Sequence, residues 1–266
     1  MSVIELKSDP EIALMREAGL IVAAALAASR AAVAPGQTTA DLDAVAEKVI
    51  RGAGAIPSFK GYQGFPATLC TSINDEIVHG IPNSKRPLRE GDIVSIDCGA
   101  IVGGFHGDSA ITVGVGDVAP HLEDLMRVCE DALWRGLAAA HLGGRVTDIG
   151  AAIEGYVRPF GYGIVEEYVG HGIGTALHQP PNVPNFGKPG RGPKLERGLV
   201  LAVEPMVNLG TRYTRQLEDG WTVVTQDGLP SAHFEHTFTL TDEGPWVLTA
   251  EDGGRGRLAD LLGRAS

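Results

Sequence analysis

The chain is poor in cysteine: three stand among 266 residues, at positions 70, 98 and 129, with no C-x-x-C pair. An odd, widely spaced set excludes a disulfide framework of the secreted kind and a thiolate-rich structural zinc site, and it points to a reducing compartment. Positive charge is also short, since 22 Lys and Arg face 33 Asp and Glu for a formal charge of −11. Gripping nucleic acid or an anionic membrane through bulk charge needs a cationic footprint, so neither DNA nor a membrane is an expected partner. The uncharged stretch Ala18 to Ser29 has 12 residues, short of the roughly 18 to 20 that cross a bilayer. Residues 1 to 17 before it carry a net −2, the wrong sign for an export signal. That stretch reads as an Ala-rich helix packed on the domain, and the expected location is the cytoplasm. No linker, short-period repeat or low-complexity block interrupts the chain. At 44% hydrophobic and 21% charged, it reads as a globular domain over 1–249 with a Gly- and Arg-containing tail over 250–266.

Punctuation by Pro, Gly and capping residues predicts helices over 10–33 (capped by Asp9), 38–51, 120–142 and 147–159. Residues 59 to 74 read as loop. Strands are expected over 92–98, 105–115, 164–169, 199–208, 221–226 and 233–241. The tail is either irregular or a short helix around Leu258 to Leu262. Helices, strands, helices and strands in that order favour α+β over a regular βαβ alternation.

The segment Asp92 to Val113 reads as a hairpin turning at or beside Gly103-Gly104. With the turn centred between Val102 and Gly103, Asp97 and Asp108 become direct cross-strand neighbours. Alternation puts Val94, Ile96 and Cys98 on one face and Ser95 and Asp97 on the other, while Asp108 joins Ala110 and Thr112 opposite Ile111 and Val113. Two like charges so placed repel unless something cationic compensates them. A pair of separately solvated acids is the plain alternative.

Two further acids lie in apolar strands. Glu204 ends the run Leu199 to Val203, and Glu235 projects opposite Phe234, Phe238 and Leu240. An unpaired buried carboxylate costs several kcal/mol or stays protonated, although either acid alone has an ion-paired core residue as its simpler explanation. In Gly170-His171-Gly172-Ile173-Gly174 the glycines permit left-handed or close-approach backbone around an imidazole; alone, this is a turn histidine. Together, four carboxylates and a neutral imidazole suit two divalent cations, with manganese, iron or cobalt as apt as zinc.

The segments Ile77-Val-His79-Gly-Ile-Pro82, Ile96-Asp97 to Gly107-Asp108, Gly170-His171-Gly-Ile-Gly174, Val203-Glu204-Pro205-Met206 and Phe234-Glu235-His236 resemble, in order, the motifs of the type I methionine aminopeptidases. The likeness covers roughly residues 5 to 249 and is to the short bacterial form. It implies the pita-bread fold: a curved antiparallel sheet of two pseudo-two-fold halves with helices on its outer face. It also implies removal of the initiator methionine from nascent polypeptide N-termini when the next residue is small, by attack of a water shared between two metal ions (Co, Mn, Fe or Zn).

Carried over by position, Asp97 chelates one metal, Asp108 and Glu235 bridge both, and His171 with Glu204 completes the other. Glu204 is the implied proton shuttle. His79 and His178 resemble two outer histidines that contact the scissile peptide and the bound substrate; read alone, each is an ordinary turn or surface histidine. An apolar cup for the methionine falls to Phe59, Tyr62, Phe65, Cys70, Leu177 and Trp221. Family members often have an aromatic residue at the position of Leu177 and a tyrosine at that of Phe65, so the cup departs from the usual shape. The substrate implies work near the ribosome, and a monomer is expected. The rival readings are a prolidase or aminopeptidase P of the same fold, or an inert binding module built on it.

Overall fold

The computed structural model describes residues 4–263. Positions 1–3 and 264–266, the outermost parts of the expected domain and tail, lie outside the described residues. Helix α1 spans Asp9–Ala32 and α2 spans Thr39–Gly52. Each starts at a hydroxyl residue whose N–H and O–H are both accepted by an acid three positions on: Ser8 by Glu11, and Thr38 by Asp41. This reciprocal arrangement satisfies donors that the first turn leaves open. The cap of α1 is therefore Ser8, and the expected Asp9 is instead the first helical residue. The helix extends beyond the uncharged stretch Ala18 to Ser29 and is long and apolar enough to cross a membrane. In the fold its Met15, Ala18, Val22 and Ala25 are buried.

The hairpin consists of Ile93–Val102 and Phe105–Gly114. Gly103 and Gly104 both have positive φ, 57° and 87°, as a two-residue type I′ turn requires. Its centre is one residue further along than expected. Asp97 consequently faces Ala110, and Asp108 faces Gly99. A register change of two residues preserves the face of every side chain, so the two aspartates stay on one surface as diagonal neighbours.

Nine strands make one curled antiparallel sheet. From one edge the path runs through Ile56–Pro57, the hairpin, Glu235–Thr241, Val200–Val203, Gly170–Gly172 and Gln179–Val183. Leu69–Ile73 adds beside the first hairpin strand and Gly244–Val247 beside Glu235–Thr241. Leu69–Ile73 lies within the segment expected to be loop. All five of its residues are buried, so it lacks the alternation that marks a half-exposed strand. Helices α1 and α2 cover Val94, Ile96, Cys98 and Val113 on one half of the outer face. Helices α3 (Pro120–Ala139) and α4 (Val146–Val157) cover Leu201, Val203, Phe238 and Leu240 on the other. This α+β arrangement of two helix-covered halves is the expected one.

Two expected strands are each split. The first becomes Val200–Val203 and Met206–Asn208, and the second becomes Ser231–His233 and Glu235–Thr241. Pro205 cannot donate to a ladder, and at these breaks the chain passes into a small second sheet of Ser231–His233, Met206–Asn208 and Gly163–Ile164. The strand expected over 164–169 shrinks to Gly163–Ile164, with Gly170–Gly172 following it in the main sheet. Val223–Thr225 replaces 221–226. In the tail, α5 spans Arg255–Leu262 and buries Leu258 against the α3 cluster.

Gly19 lets α1 settle directly on backbone: a Cβ there would lie 2.3 Å from the carbonyl oxygen of Leu248. Neither main chain can yield cheaply. Gly19→Ala is expected to cost about 1–3 kcal/mol, lowering the calorimetric Tm by roughly 3–10 °C. An unchanged Tm would contradict the close approach.

Candidate metal centre and substrate cavity

The sheet's inner face carries two rows of side chains. In the first, Cys70 pairs with Asp97, Asp97 with Ala110 and Ala110 with Glu235. In the second, Thr237 Oγ1 receives the Asp108 N–H and donates to the Asp108 carbonyl, while Thr237 pairs with Ala202 and Ala202 with His171. Strand alternation therefore puts Asp97, Asp108, His171 and Glu235 on one surface. The small side chains of Ala110 and Ala202 keep the floor between them clear. Glu204 enters at the first strand break. The glycines beside His171 serve close approach, since a Cβ on Gly170 would lie 2.3 Å from the Ala202 carbonyl oxygen.

All five side chains line one cavity of about 170 Å³, together with Phe59, Tyr62, Gln63, Phe65, Cys70, His79, Leu177, His178 and Trp221. Ligand atoms of Asp108, His171 and Glu235 lie within 4.8 Å of one another. His171 Nε2 is 3.6 Å from Glu204 Oε1 and 4.0 Å from Asp108 Oδ2. Its Nδ1 lies 2.9 Å from the Gly172 carbonyl oxygen. A carbonyl only accepts, so the proton belongs on Nδ1, and Nε2 presents a lone pair to the acids. Burial, followed by the neighbouring His178, lowers the pKa of His171 to about 3, which keeps it neutral.

Burial raises the carboxyls of Asp108, Glu204 and Glu235 well above the usual range, and mutual repulsion adds to the effect. Asp97 is pushed up to about 7, chiefly by burial. No Lys or Arg is among the lining residues. Asp97 Oδ1, Asp108 Oδ1 and Glu235 Oε1 are buried without a hydrogen-bond partner. Orphaned carboxylate oxygens facing an imidazole lone pair are a set of donors without an acceptor of electron density. A divalent cation meets that need, and the oxygen-dominated set suits a hard or borderline ion.

His79 sits beside the acids in the left-handed region, with φ 62°, a strained conformation for a non-glycine residue. Its ring meets Tyr168 and Trp221 edge-on at 5.8 and 6.5 Å. Burial is the main cause lowering its pKa to about 4. His178 lies 4.3 Å from His171, ring to ring, and its Nδ1 is 2.8 Å from Tyr62 Oη. Phe59, Phe65, Cys70 and Leu177 are buried, and Phe65 packs edge-on against Trp221 at 5.1 Å. Two residues near the acids were not singled out from the sequence. Gln63 lines the cavity from a left-handed turn, φ 48°, for which the sequence held no signal. His233 approaches Glu204; its spacing of two from Glu235 was the signal that places it on the same side.

Residues 13–242 match the model of metallopeptidase family M24. The chain is 52% identical over 244 residues to a methionine aminopeptidase of Clostridium acetobutylicum, covering 92% of this chain and 98% of that one. It superposes with TM-score 0.92 and 40% identity on the crystal structure of a methionine aminopeptidase from Thermotoga maritima, covering 94% of this chain and all of the other. A prolidase from Pyrococcus furiosus, 22% identical with TM-score 0.72, shares the fold, and only 65% of its chain is covered.

A carboxyl whose pKa rises on folding holds protons in the fold that it releases on unfolding, so its contribution fades as pH climbs through the folded value. For Asp97 that window runs from 3.8 to about 7, and the other three acids shift in the same direction. The buried histidines, His79 at about 4 and His171 and His233 at about 3, work in the opposite direction below their ordinary 6.5, so the Tm of metal-free protein should fall from about pH 7 to about pH 8, and saturating manganese should remove the decline. A metal-free Tm that rises over that interval would contradict this charge balance.

Proposed function

The chain belongs to metallopeptidase family M24, and from that premise we propose that it removes the N-terminal methionine of polypeptides by hydrolysing the first peptide bond. The observation that carries this reading is the match to a methionine aminopeptidase at 52% identity over nearly the full length of both chains. The prolidase likeness is one of fold and leaves a third of that larger chain without a counterpart. The substrates we propose are nascent chains whose second residue is small, met in the cytoplasm near the ribosome by a monomeric enzyme.

Asp97, Asp108, His171, Glu204 and Glu235 are the proposed holders of two divalent cations, drawn from manganese, iron, cobalt or zinc. Bound there, the cations supply a Lewis acid for the scissile carbonyl and acidify a water. The remaining work belongs to the chain's own groups. Glu204 takes the proton of the attacking water and delivers it to the leaving amine. We assign the Tyr62 hydroxyl as the donor to Nδ1 of His178, 2.8 Å away, which places Nε2–H to meet the substrate carbonyl. His79, neutral and held in a fixed turn, donates to the scissile amide or to the charge developing beside it. The cup of Phe59, Tyr62, Phe65, Cys70, Leu177 and Trp221 receives the thioether side chain and excludes water.

Incubation with Met-Ala-Ser and Pro-Ala-Ser, each with and without manganese or cobalt, tests the reading. Metal-dependent release of methionine from the first peptide alone is expected, and cleavage confined to the second would favour the prolidase relatives. Asp97→Ala or Glu235→Ala should abolish turnover in a folded protein, and near-normal turnover with metal in excess would refute the assignment. His79→Ala should lower kcat by about 10²–10³-fold with metal content retained; equal loss of both would make His79 a ligand.

A further inference from the structure

The Glu204 carboxylate stands between two histidines, one facing each oxygen. Oε1 meets the lone pair of His171 at 3.6 Å, and Oε2 lies 3.9 Å from Nε2 of His233. His233 is buried, and its Nε2 is without a hydrogen-bond partner. Both main chains are fixed where these residues emerge. The His233 N–H donates to Thr112 Oγ1 at 2.9 Å, and the His233 carbonyl accepts from the same hydroxyl at 2.8 Å. The Glu204 carbonyl accepts from Asn185 Nδ2 at 3.0 Å. The thiol of Cys129 ties the two crossovers together by reaching the carbonyl of Pro205 at 3.2 Å and that of Ala232 at 3.3 Å. What stays adjustable is the rotation of the carboxylate itself. A shift of about 1 Å brings Oε2 to hydrogen-bond length from His233.

We propose that His233 is a positioning residue for Glu204, donating Nε2–H to Oε2 so that Oε1 is the oxygen turned toward the cavity. The role rests on the aminopeptidase reading and deepens it. A buried N–H without an acceptor is costly, and a carboxylate oxygen is the partner that relieves both groups at once. Fixing the carboxylate in one rotation separates the oxygen that faces the reaction from the one that anchors. Nothing in His171 duplicates this, because its proton is committed to the Gly172 carbonyl.

The test pairs two variants of similar bulk: His233→Gln, which keeps a donor, and His233→Leu, which does not. Loss of an outer partner typically costs 10–100-fold in activity or metal affinity. On Met-Ala-Ser, the leucine variant is expected to lose roughly that factor in kcat, with KM within about twofold of wild type, and the glutamine variant to recover most of it. Two further readouts separate positioning from ligation or general damage. Cobalt content should stay at the wild-type value in both variants, and the visible spectrum of the cobalt-loaded protein should change in the leucine variant alone. Equal kcat in the two variants, or cobalt lost in proportion to kcat, would overturn the proposal. Wild-type protein inactive on Met-Ala-Ser would instead overturn the aminopeptidase reading.

Discussion

Four carboxyl groups lining one cavity, three of them on one face of a single sheet and Glu204 at a strand break, with no Lys or Arg in the lining, are the constraint to which the rest of the molecule answers. Left alone they repel, and burial denies them the solvation that makes charge tolerable. The fold nevertheless assembles them, because the outer faces of the same strands bury the large apolar clusters under α1 to α4. Helix packing sets which face is turned outward, and alternation then delivers the acids inward without any further instruction. The cost is borne locally, at a place where a cation turns it into binding.

The same logic explains why the surroundings are so heavily fixed. A site that holds charge in low dielectric gains most when its groups cannot relax. Thr237 grips the backbone of Asp108, Thr112 grips that of His233, and Cys129 joins the two crossovers. His79 stands in a left-handed turn. Each device spends conformational freedom close to the acids and leaves the apolar cup beside them to shape what enters.

Much of this was legible from the chain alone, because alternation is a local property. The faces of Val94 to Cys98 and of Asp108 to Val113 follow from it, as does the opposition of Glu235 to Phe234 and Phe238. Register was less accessible, since it depended on which residues of Val102-Gly103-Gly104 form the turn. The strand breaks at Glu204-Pro205 and at Phe234 escaped because apolar runs read as continuous whether or not they change sheets. Leu69–Ile73 escaped because burial on both faces erases the alternating pattern. Gln63 takes its place from a turn conformation that its side chain does not announce, and Ser8 outcompetes Asp9 as the cap only through its reciprocal bonds with Glu11.

We propose that these five side chains together hold a pair of cations in a shell of oxygen and imidazole. X-ray absorption at the manganese edge, on protein loaded to saturation, reads that shell directly. The expected result is an oxygen-rich coordination with one imidazole per pair of ions, no sulfur, and a metal–metal distance of about 3.5–4 Å. A sulfur ligand from Cys70, or isolated ions with no metal neighbour at any loading, would contradict it.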